Sequence, residues 1–425
     1  MSESESNLYE NNTSYVVTHC HICKSDDLHS VLFLGYLPPV NTMHPIGARP
    51  AEQSGYPAEL LQCSKCKLIQ IGLVVDPKIL FPPEYPYTSS TTKILKENFA
   101  EMYSECRSIM NLSPNDLVVD IGSNDGNLLS NFKDEHKVLG VTPEEIGKIA
   151  ISRGIPTIIS YFSKEVVKSI LAEYGPAKVI TATNVFAHID GVNDIVKSIL
   201  ELLDQDGVFI TECHYLGSLV ETLQYDTIYH EHLMYYSLHS LKFLLEQHGL
   251  EIFHAKPIPT HGGSIRAYVS RKGNFQVKPT VSEILNLEKE ADLEGRGLAS
   301  FKNRMVVSKL ELHSMLLDLK KQKKKVYGIG APSRASTLIN YVGIDDGIID
   351  CVLEIKGSHK IGKYIPGTLI PVLDETKLYE DQVEYALLLS WHIADELALK
   401  ISKNGFKGDF IVPLPTPRIL KNPLK

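Results

Sequence analysis

The sequence predicts an α/β chain in three blocks: a small metal-stapled domain, a central doubly wound parallel sheet, and a second, smaller α/β domain. Three observations carry that prediction. Two Cys-x-x-Cys pairs, Cys20/Cys23 and Cys63/Cys66, bracket a segment rich in proline and glycine. Between about Asn111 and Lys272, short apolar runs alternate with amphipathic stretches, the signature of strands and helices in turn. The same alternation resumes beyond residue 320.

Composition sets the bounds. The chain has 425 residues, 43% apolar and 22% charged, enough for sizeable packed cores. Its net charge is −8 and no long Lys/Arg stripe occurs, so a nucleic-acid partner is not expected. The basic cluster Lys320–Lys325 reads as a solvated helix terminus ahead of a strand. The first fifteen residues are acidic and polar and lack a signal-peptide pattern. No apolar run approaches the ~18 residues of a membrane helix, so the expectation is a soluble cytoplasmic protein with no membrane partner. Seven cysteines, an odd number, fit a reducing compartment better than a disulfide framework.

In the first block, the stretch from Leu37 to Pro57 shows little periodicity and needs a staple. Cys20, Cys23, Cys63 and Cys66 supply the four soft ligands of a closed, structural zinc site. The βαβ pattern that accompanies a redox Cys-x-x-Cys is missing, and His21 reads as a loop residue. In the second block the predicted strands are Leu117–Gly122, Val138–Val141, Thr157–Ile159, Lys178–Thr183 and Gly207–Glu212. A later strand, Ser264–Ser270, is expected to close the sheet edge. Residues 276–320 read as a helical connector with a weak point at Glu294–Gly297. The last block offers strands at Val326–Ala331, Ile349–Glu354 and Tyr385–Trp391.

Four clusters carry chemistry. Asp120-Ile-Gly122-Ser-Asn124-Asp125-Gly126 lies where the first sheet strand gives way to a helix, the place where open α/β sheets bind ligands. Its acidic residue and its G-x-N-x-G spacing favour S-adenosylmethionine over a pyrophosphate cofactor, whose G-x-G-x-x-G pattern is absent. Thr183-Asn184-Val-Phe-Ala-His188 follows the fourth strand at the same edge. Thr260-His261-Gly262-Gly263-Ser264-Ile-Arg266 reads as a tight loop near a substrate, or as an ordinary turn before a strand. Tyr229-His230-Glu231-His232, after the fifth strand, packs two imidazoles, a carboxylate and a phenol into one loop suited to proton transfer.

In this order the motifs resemble the sugar C-methyltransferases of deoxysugar biosynthesis. The resemblance runs from about Cys20 to Pro415. It rests on the Cys pairs, Glu84-Tyr85-Pro-Tyr87-Thr-Ser-Ser90, Ile121–Gly126, Asn184–His188, Asp226–His232, His261–Ser264 and Gly330-Ala-Pro-Ser333. It implies a zinc-binding domain over 15–80, a Rossmann-like class I methyltransferase domain over 81–275, the connector over 276–320 and a Rossmann-like C-terminal domain over 321–420. The substrate it implies is a nucleotide-linked 4-keto-6-deoxysugar, methylated at C3. By resemblance His232 is the base, Glu231 orients it or holds a water, and Tyr229 and His188 donate hydrogen bonds to the enolate. Cofactor contacts fall to Asp120, Gly122, Asn124, Asp125, Gly126, Thr142 and Asn184. Substrate contacts fall to Tyr85, Tyr87, His261, Gly262, Ser264, Ser333, Arg334, Lys360 and Tyr364, the last four through the nucleotide diphosphate. A plain helix cap is the other reading of Ser333.

The chain departs from the family pattern at three points. Thr142 stands where an acidic residue usually grips the cofactor ribose, with Glu144 nearby to compensate. Cys213-His214 replaces Val-Pro, and Ser333-Arg334-Ala335 replaces Ala-Lys-Gly, so the choice between thymidine and guanosine is not legible. Two rivals stand beside a methyltransferase: an epimerase or isomerase that reprotonates the same enolate, and a non-catalytic sugar-nucleotide scaffold. The sequence is silent on oligomeric state.

Overall fold

The computed structural model describes residues 14–48, 53–81 and 93–425. The N-terminal strands are β1 (Tyr15–Val16), β2 (Leu28–Leu37), β3 (Tyr56–Cys63), β4 (Ile69–Ile71) and β5 (Leu73–Val74). The segment between the cysteine pairs is thus more regular than its proline and glycine content suggests. β2 and β3 form an antiparallel pair whose register shifts near Gly35, a residue at φ +103°. Between them the described residues 38–48 and 53–55 belong to no strand or helix.

The central strands are β6 (Leu117–Ile121), β7 (Lys137–Thr142), β8 (Thr157–Ile159), β9 (Ala177–Thr183), β10 (Leu203–His214), β11 (Met234–Tyr235), β12 (Leu250–Ile258) and β13 (Ser264–Arg271). Seven of them form one sheet in the order β12-β13-β10-β9-β6-β7-β8. β6 to β10 pair in parallel, whereas β13 runs antiparallel to β10 and to β12. The expected edge strand, β13, is therefore interior, and β12 closes that edge. Glu251, His254, Lys256 and Pro257 break the apolar alternation of β12, which hid it in the sequence; such residues suit an edge. β11 leaves the central sheet and joins the N-terminal one in the order β11-β4-β3-β2.

The connector is two helices, Pro279–Glu290 and Arg296–Lys321, broken near the expected weak point. The C-terminal sheet comprises β14 (Val326–Ile329), β15 (Val352–Glu354), β16 (Val372–Asp374), β17 (Tyr385–Leu388), β18 (Asp409–Val412) and β19 (Arg418–Leu420) in the order β16-β15-β14-β17-β18-β19. Its strands are parallel except β19. One hydrophobic core runs through all three blocks, from Leu68 and Ile69 through Phe186 and Tyr236 to Leu338 and Leu387. A smaller core, with Phe99, Met102, Phe132 and Phe253, lies beneath helix Lys93–Ile109. Among the described residues no helix is long and apolar enough to cross a membrane.

Candidate active site

The loop 224–232 bridges helix Leu216–Glu221 and β11. It starts with a single 3-10 turn, Tyr225–Thr227, closed by Thr227 Oγ1 donating to the Gln224 carbonyl at 2.7 Å. His232 Nδ1 lies 2.8 Å from the Thr227 carbonyl oxygen. A carbonyl only accepts, so Nδ1 carries the proton and the neutral ring leaves Nε2 bare. His188 Nδ1 likewise donates to the Glu231 carbonyl at 2.7 Å. The His188 and His232 ring centroids are 5.0 Å apart, and Tyr229 lies 4.2 Å from His232 with its ring tilted by 31°. Burial holds the Tyr229 phenol pKa well above its ordinary value, so it remains a donor.

Two expected roles change here. A neutral His188 with Nδ1 bound to a carbonyl offers a lone pair at Nε2, so it accepts rather than donates. Glu231 orients His188 through its carbonyl, while its carboxylate accepts 2.7 Å from Asn41 Nδ2 of the N-terminal block. His230 donates to the Pro57 carbonyl at 3.1 Å.

Around His232 gather further imidazoles, and they are held uncharged. Burial, then repulsion from His188, keeps the His232 pKa well below its usual value. Burial followed by the Arg334 charge pushes His214 and His392 down to about 3 and His261 to about 4. The site is a set of neutral bases beside a single buried guanidinium.

The carboxyl ends of β6, β7 and β9 form the edge at which the sequence places the cofactor. Gly122, Asn124, Gly126 and Asn184 all have left-handed backbones, at φ +75°, +50°, +79° and +57°. A Cβ on Gly122 would meet Val185 Cγ2 at 2.5 Å, so glycine is needed for the loop to lie against the Asn184 segment. Ser123 Oγ is buried with no hydrogen-bond partner among the described residues. Asp120 accepts from Thr181 Oγ1 at 2.7 Å, and burial raises its pKa to about 7. Thr142 is buried at the end of β7, and burial raises the pKa of the neighbouring Glu144 carboxyl. Asp125 departs from expectation: fully buried, it pairs with Arg153 Nη1 at 3.0 Å, which makes it a structural anchor of the loop.

The expected substrate contacts divide. His261 sits at φ +55° in the turn Thr260–Gly262, and Gly262 packs so close to Gln224 that a Cβ would meet its Oε1 at 2.6 Å. Ser264 is withdrawn, because its buried hydroxyl donates to the Thr260 carbonyl at 3.0 Å. Lys360 Nζ donates to the Ala331 carbonyl at 2.6 Å, and Tyr364 Oη accepts from the Gly47 amide at 3.2 Å. Ser333 does not cap its helix; Pro332 holds the cap position, and the Ser333 hydroxyl donates to Asn41 Oδ1 at 3.0 Å. Arg334 is the clearest correction. Rather than facing a diphosphate, its Nε and Nη2 donate to Asp226 at 2.8 and 2.7 Å, and Nη2 also reaches Gln224 Oε1 at 3.1 Å. Its third nitrogen, Nη1, donates to His392 Nδ1 at 3.2 Å, and the guanidinium lies 5.0 Å from the Trp391 ring centre. Tyr85 and Tyr87 fall outside the described residues.

The four zinc-site sulfurs lie within 4.8 Å of one another, with Cys20–Cys66 and Cys23–Cys63 each at 3.4 Å. A tetrahedron with Zn–S bonds of ~2.3 Å has edges of ~3.8 Å, so the cluster fits the ion. His21 is no ligand: its Nδ1 meets Asp190 at 3.0 Å. Asn193 Nδ2 donates to the His21 and Ile22 carbonyls, each at 2.9 Å, docking the zinc knuckle on the central block.

Each block also matches a known family. Residues 20–81 match a zinc binding domain, 94–255 a methyltransferase domain, and 259–415 the C-methyltransferase C-terminal domain. Over 414 residues the chain is 30% identical to C-methyltransferase NovU of Streptomyces niveus, a match covering 95% of this chain and 97% of that one. The chain belongs to the C-methyltransferase family. Among solved structures it is similar to an S-adenosylmethionine-dependent methyltransferase from Clostridium acetobutylicum, at 16% identity, 43% of this chain, 94% of that one and a TM-score of 0.33. It is also similar to magnesium protoporphyrin IX methyltransferase of Synechocystis with bound SAH, at 16% identity, 42% and 83% coverage and a TM-score of 0.33.

Around the candidate site of this C-methyltransferase lie residues to which the sequence assigned no role: Asn41, His214, Gln224, Asp226, Trp391 and His392. Two of these carried a signal. Asp226 heads the motif that ends at His232, and Trp391 is the only tryptophan of the chain.

Proposed function

We propose that this C-methyltransferase deprotonates a nucleotide-linked 4-keto-6-deoxysugar beside its ketone, at C3, and methylates the enolate. The observation that carries the reading is His232, with Nδ1–H on the Thr227 carbonyl and Nε2 bare. A neutral imidazole in that tautomer is a ready base. His232 Nε2 takes the C3 proton, the C–H electrons form the enolate, and the Tyr229 phenol, kept protonated by burial, donates to the enolate oxygen. When bound, S-adenosylmethionine would supply the electrophilic methyl group for C3 and leave as the neutral thioether. Gly122, Asn124, Gly126, Thr142 and Asn184 are the proposed cofactor contacts, with Asp120 bracing the strand end. His261, Gly262, Lys360 and Tyr364 are the proposed substrate contacts, in a cytoplasmic enzyme.

The test uses the zinc-loaded protein with thymidine- and guanosine-linked 4-keto-6-deoxysugars, a labelled methyl donor and mass spectrometry of the sugar. Label retained at C3 is the expected result. Deuterium exchange at C3 without label transfer would sink methylation and point to epimerisation, and absence of both would sink the ketosugar reading.

A further inference from the structure

Helix Ser333–Val342 opens where the sequence suggests a phosphate, yet the side chains of its first turns face protein. Ser333 holds Asn41, which holds Glu231. Arg334 clasps Asp226 through two nitrogens, and Thr337 Oγ1 donates to the Ile228 carbonyl at 3.4 Å. Positions 333, 334 and 337 fall along one side of a helix. Their targets span 226–231, the stretch that leads into His232.

Asp226 is fully buried, and its carboxylate takes three donors: Arg334 Nε, Arg334 Nη2 and Trp391 Nε1, the last at 2.7 Å. A two-pronged guanidinium grip fixes a carboxylate in direction as well as distance. The next residue is Thr227, whose carbonyl receives the His232 Nδ1 proton. That carbonyl therefore lies between two anchors of the C-terminal block, the Asp226 side chain and the Ile228 carbonyl. Gln224 extends the grip, donating to the Gly262 carbonyl at 2.7 Å and accepting from Arg334.

We propose that Arg334 is a positioning residue for proton transfer: by clasping Asp226 it holds the Thr227 carbonyl against His232 Nδ1 and so fixes the tautomer with Nε2 bare. The catalytic part of this inference rests on His232 being the base. The positional part does not.

The test compares full-length, zinc-loaded wild type with R334Q, R334K and W391F. Histidines are labelled with nitrogen-15, and His232 is assigned by its loss in H232N. Wild type shows His232 in the Nδ1–H form alone; R334Q shows both tautomers, and R334K lies between. In methyl transfer R334Q loses kcat by about 10- to 100-fold, by analogy with the outer partners that orient a metal-bound imidazole, while KM stays within about 3-fold and donor binding is kept. W391F removes one donor from Asp226 and shifts both readouts less, in the same direction; it carries the test should R334Q not fold. An unchanged His232 tautomer in R334Q overturns the proposal, as does raised KM with kcat preserved, the mark of direct diphosphate contact. If wild type neither methylates nor exchanges any ketosugar, the functional reading fails, and the tautomer still decides the positioning.

Discussion

In the proposed enolisation, His232 and Tyr229 divide the work between a ring nitrogen that must be empty and a phenol that must be full. His232→Asn tests the first half. An asparagine amide still donates to the Thr227 carbonyl, so the loop keeps its shape while the base disappears. Turnover is expected to fall by about 10²- to 10⁴-fold, with calorimetry showing both ligands still bound. The pH profile tests both halves. The His232 pKa lies well below 6.5, so the basic form persists as pH falls through the ordinary histidine range. The acid limb of kcat/KM is therefore expected below pH 6.5. The Tyr229 pKa lies well above 10, so no alkaline limb from its ionisation is expected below that pH. An acid limb centred above the ordinary histidine pKa would remove His232 from the role of base.

At the scale of elements, helix Lys93–Ile109 is tied to the central sheet by a buried charge cluster. Arg266 on β13 is fully buried; its Nε donates to Glu212 on β10 at 2.6 Å, its Nη1 to Glu105 at 2.5 Å and its Nη2 to Asn98 Oδ1 at 2.8 Å. Arg266→Met leaves the fully buried Glu212 carboxylate without its cation, held among the described residues only by the Asn98 amide, while Glu105 keeps Lys256 Nζ at 2.6 Å. A loss of about 3–5 kcal/mol in urea unfolding is expected, typical of half-broken buried pairs. A loss under about 1 kcal/mol would place the cluster with ordinary surface pairs. The elements also show what a sequence discloses. β6, β7, β9 and the second half of β10 are apolar runs buried on both faces and were readable as such. β16, β18 and β19 have only three or four residues, too few for a period to register. The cysteine pairs announced the metal because chemistry, rather than packing, dictates their spacing.

At the scale of the whole molecule the three blocks act as one. β11, directly after His232, pairs with β4 of the zinc-bearing block, and Asn41 from that block joins Glu231 to Ser333. Cys63→Ser should therefore reach the active site. Zinc content is expected to be lost, limited proteolysis to cut first within residues 15–80, and turnover to fall with it. Full turnover without metal would show the blocks to be independent. These long-range ties were the least legible part of the chain. Arg334 and Asp226 stand 108 residues apart, and neither sits in a periodic pattern that points to the other. Arg334 in a Gly-Ala-Pro-Ser context instead looked like a phosphate ligand, since a helix opening after a strand is a general anion site.

Trp391 gives this architecture a property of its own. It is the sole indole of the chain and lies against the Arg334 guanidinium with its N–H on Asp226. Intrinsic fluorescence therefore reports a single contact rather than an average over scattered tryptophans. A change in that emission on adding substrate, donor or denaturant marks the moment when the C-terminal block tightens or releases the base loop. The protein thus carries an internal optical gauge of whether its catalytic apparatus is assembled.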